Sequence, residues 1–244
     1  YYKKQLDLCD VRVHLNLKAT TAQLLKGRFD EIVLATGVTP RVPNIDGIDH
    51  PTVLSYVDIL SHRKEAGHRV AIVGAGGIGF DVAQFITHPV GSSNHDIDTF
   101  LEGWGVDKSY RMPGGLMQKR PQLLTSGHRV YLLQRKSSKI GASLGKTTGW
   151  IHRLTLKQQN VTMINAVTYS KIDDKGLHIR LKGQPQILEV DTIVICAGQE
   201  SKRDLKKGLE RAGKKVHLIG GAELAVELDA KRAIAQGARL AAAI

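Results

Sequence analysis

The run RVAIVGAGGIGFDV at residues 69–82 constrains this chain more than any other stretch. Four apolar residues, Val70 to Val73, meet Gly74-Ala75-Gly76-Gly77-Ile78-Gly79, and Ile78, Val82, Phe85 and Ile86 then recur on one helical face. This is the order strand, tight turn, helix. In it Gly74 permits the turn, Gly76 lets backbone approach a pyrophosphate, and Gly79 lets the helix pack close to the strand. The unpaired N–H groups of the helix start then face the phosphate charge. A GxGxxG pattern alone is weak, since glycine turns also serve packing; the flanking strand and helix make a dinucleotide site the stronger expectation.

A length of 244 residues fits one or two domains with a sizeable core. No apolar run approaches the ~20 residues needed to span a bilayer, so no membrane partner is expected. The chain opens Tyr-Tyr-Lys-Lys, without Met or an apolar leader, as a piece of a longer polypeptide would. Cys9 and Cys196 form neither a CxxC pair nor a metal cluster, which suits reduced thiols in a cytoplasmic protein. The net charge of +12 comes from scattered Lys and Arg, so nucleic acid is not the expected partner. An anionic nucleotide, an acyl-CoA neighbour or a solvated basic surface each accounts for the excess.

Val11–Leu17 alternates as a half-buried strand does, and Phe29–Gly37 reads as a buried strand ending in Ala35-Thr36-Gly37. Thr39-Pro-Arg-Val-Pro43 is an extended connection. Residues 45–68 read as a linker with a short helix over Val57–Lys64. Residues 88–127, rich in Gly, Ser, Asn and Pro, interrupt the pattern; they read as an insertion, helical around Ile97–Trp104, that covers a nucleotide or a partner. Strands follow at His128–Gln134 and Val161–Ile164, with a helix over Gly145–Gln159 between them. Val167–Ile172, Leu177–Leu181 and Ile187–Val190 form a meander with a turn at Asp173–Gly176. Asp191–Gly198 is a buried strand, Lys215–Gly220 the last strand, and Leu228–Ala243 an alanine-rich helix.

The expected architecture is α/β: a Rossmann-like nucleotide domain with a β-meander over 69–198, nested in a partial nucleotide-binding layer over 1–44 and 199–244. The Ala35-Thr36-Gly37 and Cys196-Ala197-Gly198 motifs are the two chain crossings. Ala197, Gly198 and Gln199 then belong to the inner nucleotide site.

The tip of the second strand decides which dinucleotide. A carboxylate there holds a ribose 2′-OH, whereas a cation holds a 2′-phosphate. Here the tip reads Gln134-Arg135-Lys136, with two cations and no carboxylate, so NADP(H) is expected over NAD. The tip normally lies ~20 residues after the glycines, so this register depends on 88–127 being an excursion. Gly141-Ala-Ser-Leu-Gly145-Lys146-Thr147 is not a P-loop, having three residues between the glycines where four are required. The histidines show no metal spacing, no nucleophile elbow is present, and His152 reads as packing or surface. No catalytic acid, base or nucleophile and no metal site is expected; hydride transfer between two cofactors needs none.

The runs GAGGIGFDVAQF, LQRKSSKIGASLGKTTGWIHR, VICAGQESKRDL and VHLIGGAELAVELDAKRAIAQG closely resemble the C-terminal part of bacterial NADPH-dependent 2,4-dienoyl-CoA reductases, over nearly the whole chain and including the insertion. The resemblance implies a pyridine nucleotide-disulfide reductase-like fold. It implies electron flow from NADPH through FAD, a 4Fe-4S cluster and FMN to an unsaturated acyl-CoA, as in fatty acid β-oxidation. It implies that Gly74, Ala75, Gly76, Gly77, Ile78 and Gly79 hold the NADP pyrophosphate and that Arg135 and Lys136 hold its 2′-phosphate. On the FAD side it places Ala35, Thr36, Gly37, Gly220, Gly221 and Lys231. Gly221 stands where many relatives carry Asp, and the helix starting near Asp229 is expected to aim its positive end at the flavin. The flavin barrel, the cluster cysteines and the first FAD glycine turn are not in this sequence. The chain alone is therefore expected to bind NADPH, to retain FAD weakly or not at all, and to be inactive on dienoyl-CoA. The alternatives are the same module of an amine dehydrogenase or ene-reductase, or a non-catalytic NADPH-sensing module.

Overall fold

The computed structural model describes residues 1–88, 96–117, 126–226 and 228–244. The chain divides into two units: residues 40–198, and residues 1–39 together with 199–244.

In the inner unit, β3 (Val53–Ser55), β10 (Thr192–Ile195), β4 (Arg69–Val73), β5 (Arg129–Leu133) and β6 (Thr162–Ile164) form one parallel sheet in that order. Val73 pairs with Leu133 on one side and with Ile195 on the other, so the carboxyl ends of β10, β4 and β5 align. Each of these strands is apolar on both faces because both faces are covered. Val70, Ile72, Val130, Leu132 and Val194 pack against Phe80, Val82 and Ile86 of α4 (Gly77–Thr87), Leu156 of α6 (Gly149–Gln158) and Ile59 of α3 (Tyr56–Leu60). The alternate residues Ala71, Val73, Leu133, Ile193 and Ile195 face Val167, Ile172, Leu177 and Ile179. Those belong to the antiparallel meander β7 (Val167–Asp173), β8 (Gly176–Leu181) and β9 (Gln184–Leu188). The second face of the sheet is thus roofed by the meander.

Residues 45–68 contribute the edge strand β3 and α3, which Ser55 and Asp58 start with a reciprocal capping box. Within the insertion, Asp96 caps α5 (Ile97–Gly103), and Val106 bridges Leu116. Residues 89–95 and 118–125 of the insertion, expected to cover a nucleotide or a partner, lie outside the described residues.

In the outer unit β1 (Glu31–Leu34) and β12 (Lys215–Leu218) pair in parallel, Leu34 beside Leu218. Ile32, Leu34 and Leu209 of α7 (Lys206–Arg211) are its buried core, with Leu24 and Leu25 of α2 (Thr21–Lys26) and Val216 of β12 packed around them. Two short strands, β2 (Val38–Pro40) and β11 (Gln199–Ser201), form a separate ribbon. The terminal helices are α1 (Tyr2–Leu8) and α8 (Ala230–Ala241).

The expected strand over Val11–Leu17 is absent. Val11, Val13, Leu15 and Leu17 are exposed and the segment pairs with no strand among the described residues. Alternation marks an amphipathic extended segment, but a strand also requires a hydrogen-bonding neighbour.

Candidate nucleotide-binding site

The glycine turn has the geometry its sequence requires. Gly74 has φ +117°, and a β-carbon there would overlap the carbonyl oxygen of Cys196. A β-carbon on Gly79 would overlap the carbonyl oxygen of Gly74. These two glycines are needed for packing of the strand end and helix start. Gly76 and Gly77 are different: a β-carbon at either meets nothing within 4 Å. Gly76 is also the N-cap of α4 and supplies no side-chain cap to its first N–H groups. Open backbone leading into an uncapped helix of 11 residues fits a dinucleotide pyrophosphate, whose oxygens would accept from those donors. Ala75 is buried beneath the turn and Ile78 packs on the sheet core.

Arg135 and Lys136 leave the carboxyl end of β5, next to the turn in the sheet, and both are exposed. Neither has an ion-pair partner among the described residues. The tip itself is braced. The Gln134 side-chain amide donates to the Ser138 carbonyl at 2.7 Å and to the Lys136 carbonyl at 3.0 Å. Asn165 donates to the Ser137 carbonyl at 2.8 Å, and the Ala166 N–H donates to the Lys136 carbonyl at 3.1 Å. The Gln134 amide nitrogen is therefore occupied in shaping the tip, and Asn165 is a bracing residue that the sequence reading missed. Nearby, the Tyr169 hydroxyl is buried without a hydrogen-bond partner in the structure. Burial pushes its pKa up, against the opposing pull of the Arg135 charge.

The Cys196–Gly198 crossing closes the other side of the turn. Cys196 is buried, which pushes its thiol pKa up to about 12, with Asp81 adding to the effect. The Ala197 carbonyl accepts from Arg41 Nε at 2.8 Å and from Arg41 Nη2. The Arg41 N–H donates to the Gly198 carbonyl at 3.0 Å. Gln199 opens β11. Arg41 was missed because its segment reads only as an extended connection; a lone cation between Pro40 and Pro43 was the available signal.

In the outer unit Ala35 directly follows β1, and the Thr36 hydroxyl donates to the Lys202 carbonyl at 2.5 Å. Gly37 is open, with φ +72°. The Gly220 N–H donates to Gln236 Oε1 at 2.7 Å, and a β-carbon on Gly221 would lie 2.8 Å from Val38 Cγ1. Asp229 caps α8 by accepting from the Arg232 N–H at 2.6 Å, and Lys231 is exposed. The expected positive end of α8 thus carries a carboxylate of its own. The Thr36 hydroxyl and the Gly220 N–H thus use their donors within the outer unit.

His152 meets Gln84 between α6 and α4, at 3.3 Å. Among the described residues no group of three His, Cys, Asp or Glu is placed to hold a metal, and no helix is long and apolar enough to cross a membrane.

The chain is similar to a metal reductase of Desulforamulus reducens, 26% identical over 87% of this chain and 31% of that protein. It is also similar to a cinnamate reductase of Clostridium sporogenes, 26% identical over 91% of this chain and 28% of that protein. Its fold matches a 2-naphthoyl-CoA reductase with TM-score 0.72 and 23% identity, over 97% of this chain and 30% of the other. It matches a histamine dehydrogenase of Rhizobium sp. 4-9 with TM-score 0.65 and 16% identity, over 93% of this chain and 32% of the other. The chain therefore spans under a third of the length of each of these relatives. The pyridine nucleotide-disulphide oxidoreductase model matches residues 11–226. With its parallel sheet and glycine turn, the chain belongs to the pyridine nucleotide-disulphide oxidoreductase family, an α/β FAD/NAD(P)-binding oxidoreductase fold.

Proposed function

We propose that this chain is the NADPH-binding, electron-input module of a larger cytoplasmic flavoprotein that reduces 2,4-dienoyl-CoA in unsaturated fatty acid β-oxidation. One observation carries the reading: an uncapped, open glycine turn at the head of α4 stands beside a strand tip whose two cations have no carboxylate partner among the described residues. In this reading Gly76 and Gly77 receive the pyrophosphate, and Arg135 and Lys136 receive the 2′-phosphate. NADPH supplies the hydride when bound; the chain's residues orient it. The FAD half is incomplete here, and FMN, a 4Fe-4S cluster and the acyl-CoA site belong to segments outside this sequence. Relatives named for cinnamate and naphthoyl-CoA reduction support a substrate of unsaturated-acid type.

The test is a paired titration of NADPH and NADH against the chain and its Arg135→Ala variant. The parent prefers NADPH, and the variant loses about 1.5–3 kcal/mol of NADPH affinity with little change for NADH. Equal affinity of the parent for both nucleotides would overturn the NADP reading.

A second reading, the same module in an amine dehydrogenase, has the histamine dehydrogenase likeness in its favour. An intact, open glycine turn argues for a module that uses NADPH. A non-catalytic NADPH sensor has no need of the second nucleotide-type layer around β1 and β12. Hydride transfer from NADPH to added flavin, once the segments outside this sequence are supplied, separates an electron-input module from a sensor.

A further inference from the structure

Arg41 carries a charge that no carboxylate among the described residues neutralises. Its observed side-chain hydrogen bonds both end on one carbonyl, that of Ala197. A guanidinium has five N–H donors, so most remain unspent. A half-buried cation whose side chain meets only a neutral carbonyl among the described residues is well placed to receive an anion.

The topology says which anion it meets. Ile195 of β10 pairs with Val73 of β4, so the Ala197 peptide and the glycine turn emerge side by side from the carboxyl edge of the sheet. Ligands of open α/β sheets bind outside that edge. The two segments also touch. A β-carbon on Gly74 would overlap the Cys196 carbonyl and would lie 3.3 Å from the Ala197 nitrogen. Arg41 holds the Ala197 carbonyl, while its own N–H holds the Gly198 carbonyl at 3.0 Å. Gly198 leaves with φ +102°, a conformation such bonds help to fix. In the strand order β10-β4-β5, Arg41 and Arg135 therefore flank the glycine turn on opposite sides. A dinucleotide laid across the turn with its 2′-phosphate at Arg135 brings its diphosphate and nicotinamide half toward Arg41.

We propose that Arg41 is a positioning residue for the diphosphate and nicotinamide half of a bound pyridine nucleotide. It fixes the Ala197–Gly198 crossing against the glycine turn and turns its remaining N–H donors to that half of the ligand. The inference rests on reading the glycine turn as the nucleotide site.

The experiment measures binding of NADPH, NADH, ADP-ribose and adenosine 2′-phosphate to the parent chain, Arg41→Ala and Arg41→Lys, with a melting curve for each. The expected result is that Arg41→Ala weakens NADPH, NADH and ADP-ribose alike, by about tenfold or more, and leaves adenosine 2′-phosphate unchanged. Arg41→Lys, which keeps the charge but not the fork, recovers only part of that loss. Loss of adenosine 2′-phosphate binding in the same proportion, or retention of all four affinities in Arg41→Ala, overturns the role of Arg41. A parent chain that binds none of the four ligands instead overturns the nucleotide-site reading, and this inference with it.

Discussion

Gly79 packs its α-carbon so closely on Gly74 that a single methyl group at 79 would overlap the Gly74 carbonyl oxygen. Gly76, three residues earlier, has open space around it and an ordinary extended backbone, with φ −83°. The two glycines therefore separate fold from binding. Gly79→Ala forces helix and strand apart and is expected to destabilise the chain by about 1–3 kcal/mol. Gly76→Ala is expected to leave thermal stability near that of the parent while lowering NADPH affinity, because its methyl group projects into the ligand's space. Melting curves and nucleotide titration on both variants check this, and equal melting losses would contradict it.

Asn165 and the basic tip make a second separable pair. The Asn165 side chain touches carbonyls at 137 and 138, beside the cations at 135 and 136. Removing it loosens the tip without touching the glycine turn. Asn165→Ala is expected to reduce NADPH affinity by about 0.5–1.5 kcal/mol and to leave NADH affinity unchanged. A parallel loss for both nucleotides would place the effect in the fold rather than at the tip.

The inner unit was legible because its signals are local. The apolar run Val70–Val73, the glycines after it and the helical spacing of Val82 and Ile86 all lie within 18 residues, and the structure joins them as read. The meander was legible through its turn at Asp173–Gly176, although the final strand starts earlier, at Gln184. Signals that depend on distant partners were not. Arg41 acquires its role only by meeting a carbonyl 156 residues away. Val11–Leu17 has strand alternation, yet it pairs with no strand among the described residues. The three-residue strand Val53–Ser55 is too short to show a period, and among the described residues it pairs with β10 alone. At α8, Asp229 reads as an ordinary cap; that the cap occupies the expected flavin-facing end emerges only from its bond to Arg232.

The flavin layer yields a direct prediction. The Gly220 N–H is taken by Gln236, the start of α8 by Asp229, and the room at 221 by Val38. The purified chain is expected to be colourless and to take up added FAD weakly, as read by visible absorption and flavin fluorescence after gel filtration. A yellow chain with stoichiometric FAD would refute this.

The cysteines differ in access. Cys9 is exposed, whereas Cys196 is buried under the turn with its thiol pushed up to about 12. Because the folded state favours the neutral thiol, that contribution to stability is present below the ordinary thiol range and is lost as pH rises through it toward 12. In mildly alkaline buffer, iodoacetamide is expected to label Cys9 at once and Cys196 only on unfolding, as read by peptide mass spectrometry. Equal labelling of both in the folded chain would show that the crossing opens readily.

Asp58 supplies the acid-side test. Its carboxylate accepts from Lys64 Nζ at 2.8 Å and from the Ser55 hydroxyl and N–H at 2.6 and 2.9 Å. Lys64 first, then Ser55, hold its pKa well below the usual carboxylate range. A depressed carboxylate stabilises the fold above its unfolded pKa of about 3.9, and the contribution fades as pH falls below that value. Asp58 anchors α3, whose Ile59 is buried in the core between helices and sheet. Asp58→Asn keeps one acceptor but removes the charge, and is expected to destabilise the chain by about 1 kcal/mol at neutral pH. Denaturant titrations of parent and variant are expected to differ most at neutral pH and to converge below about pH 4. A gap of constant size across that range would mean that the cap works through shape alone and that the charge of Asp58 contributes nothing to folding.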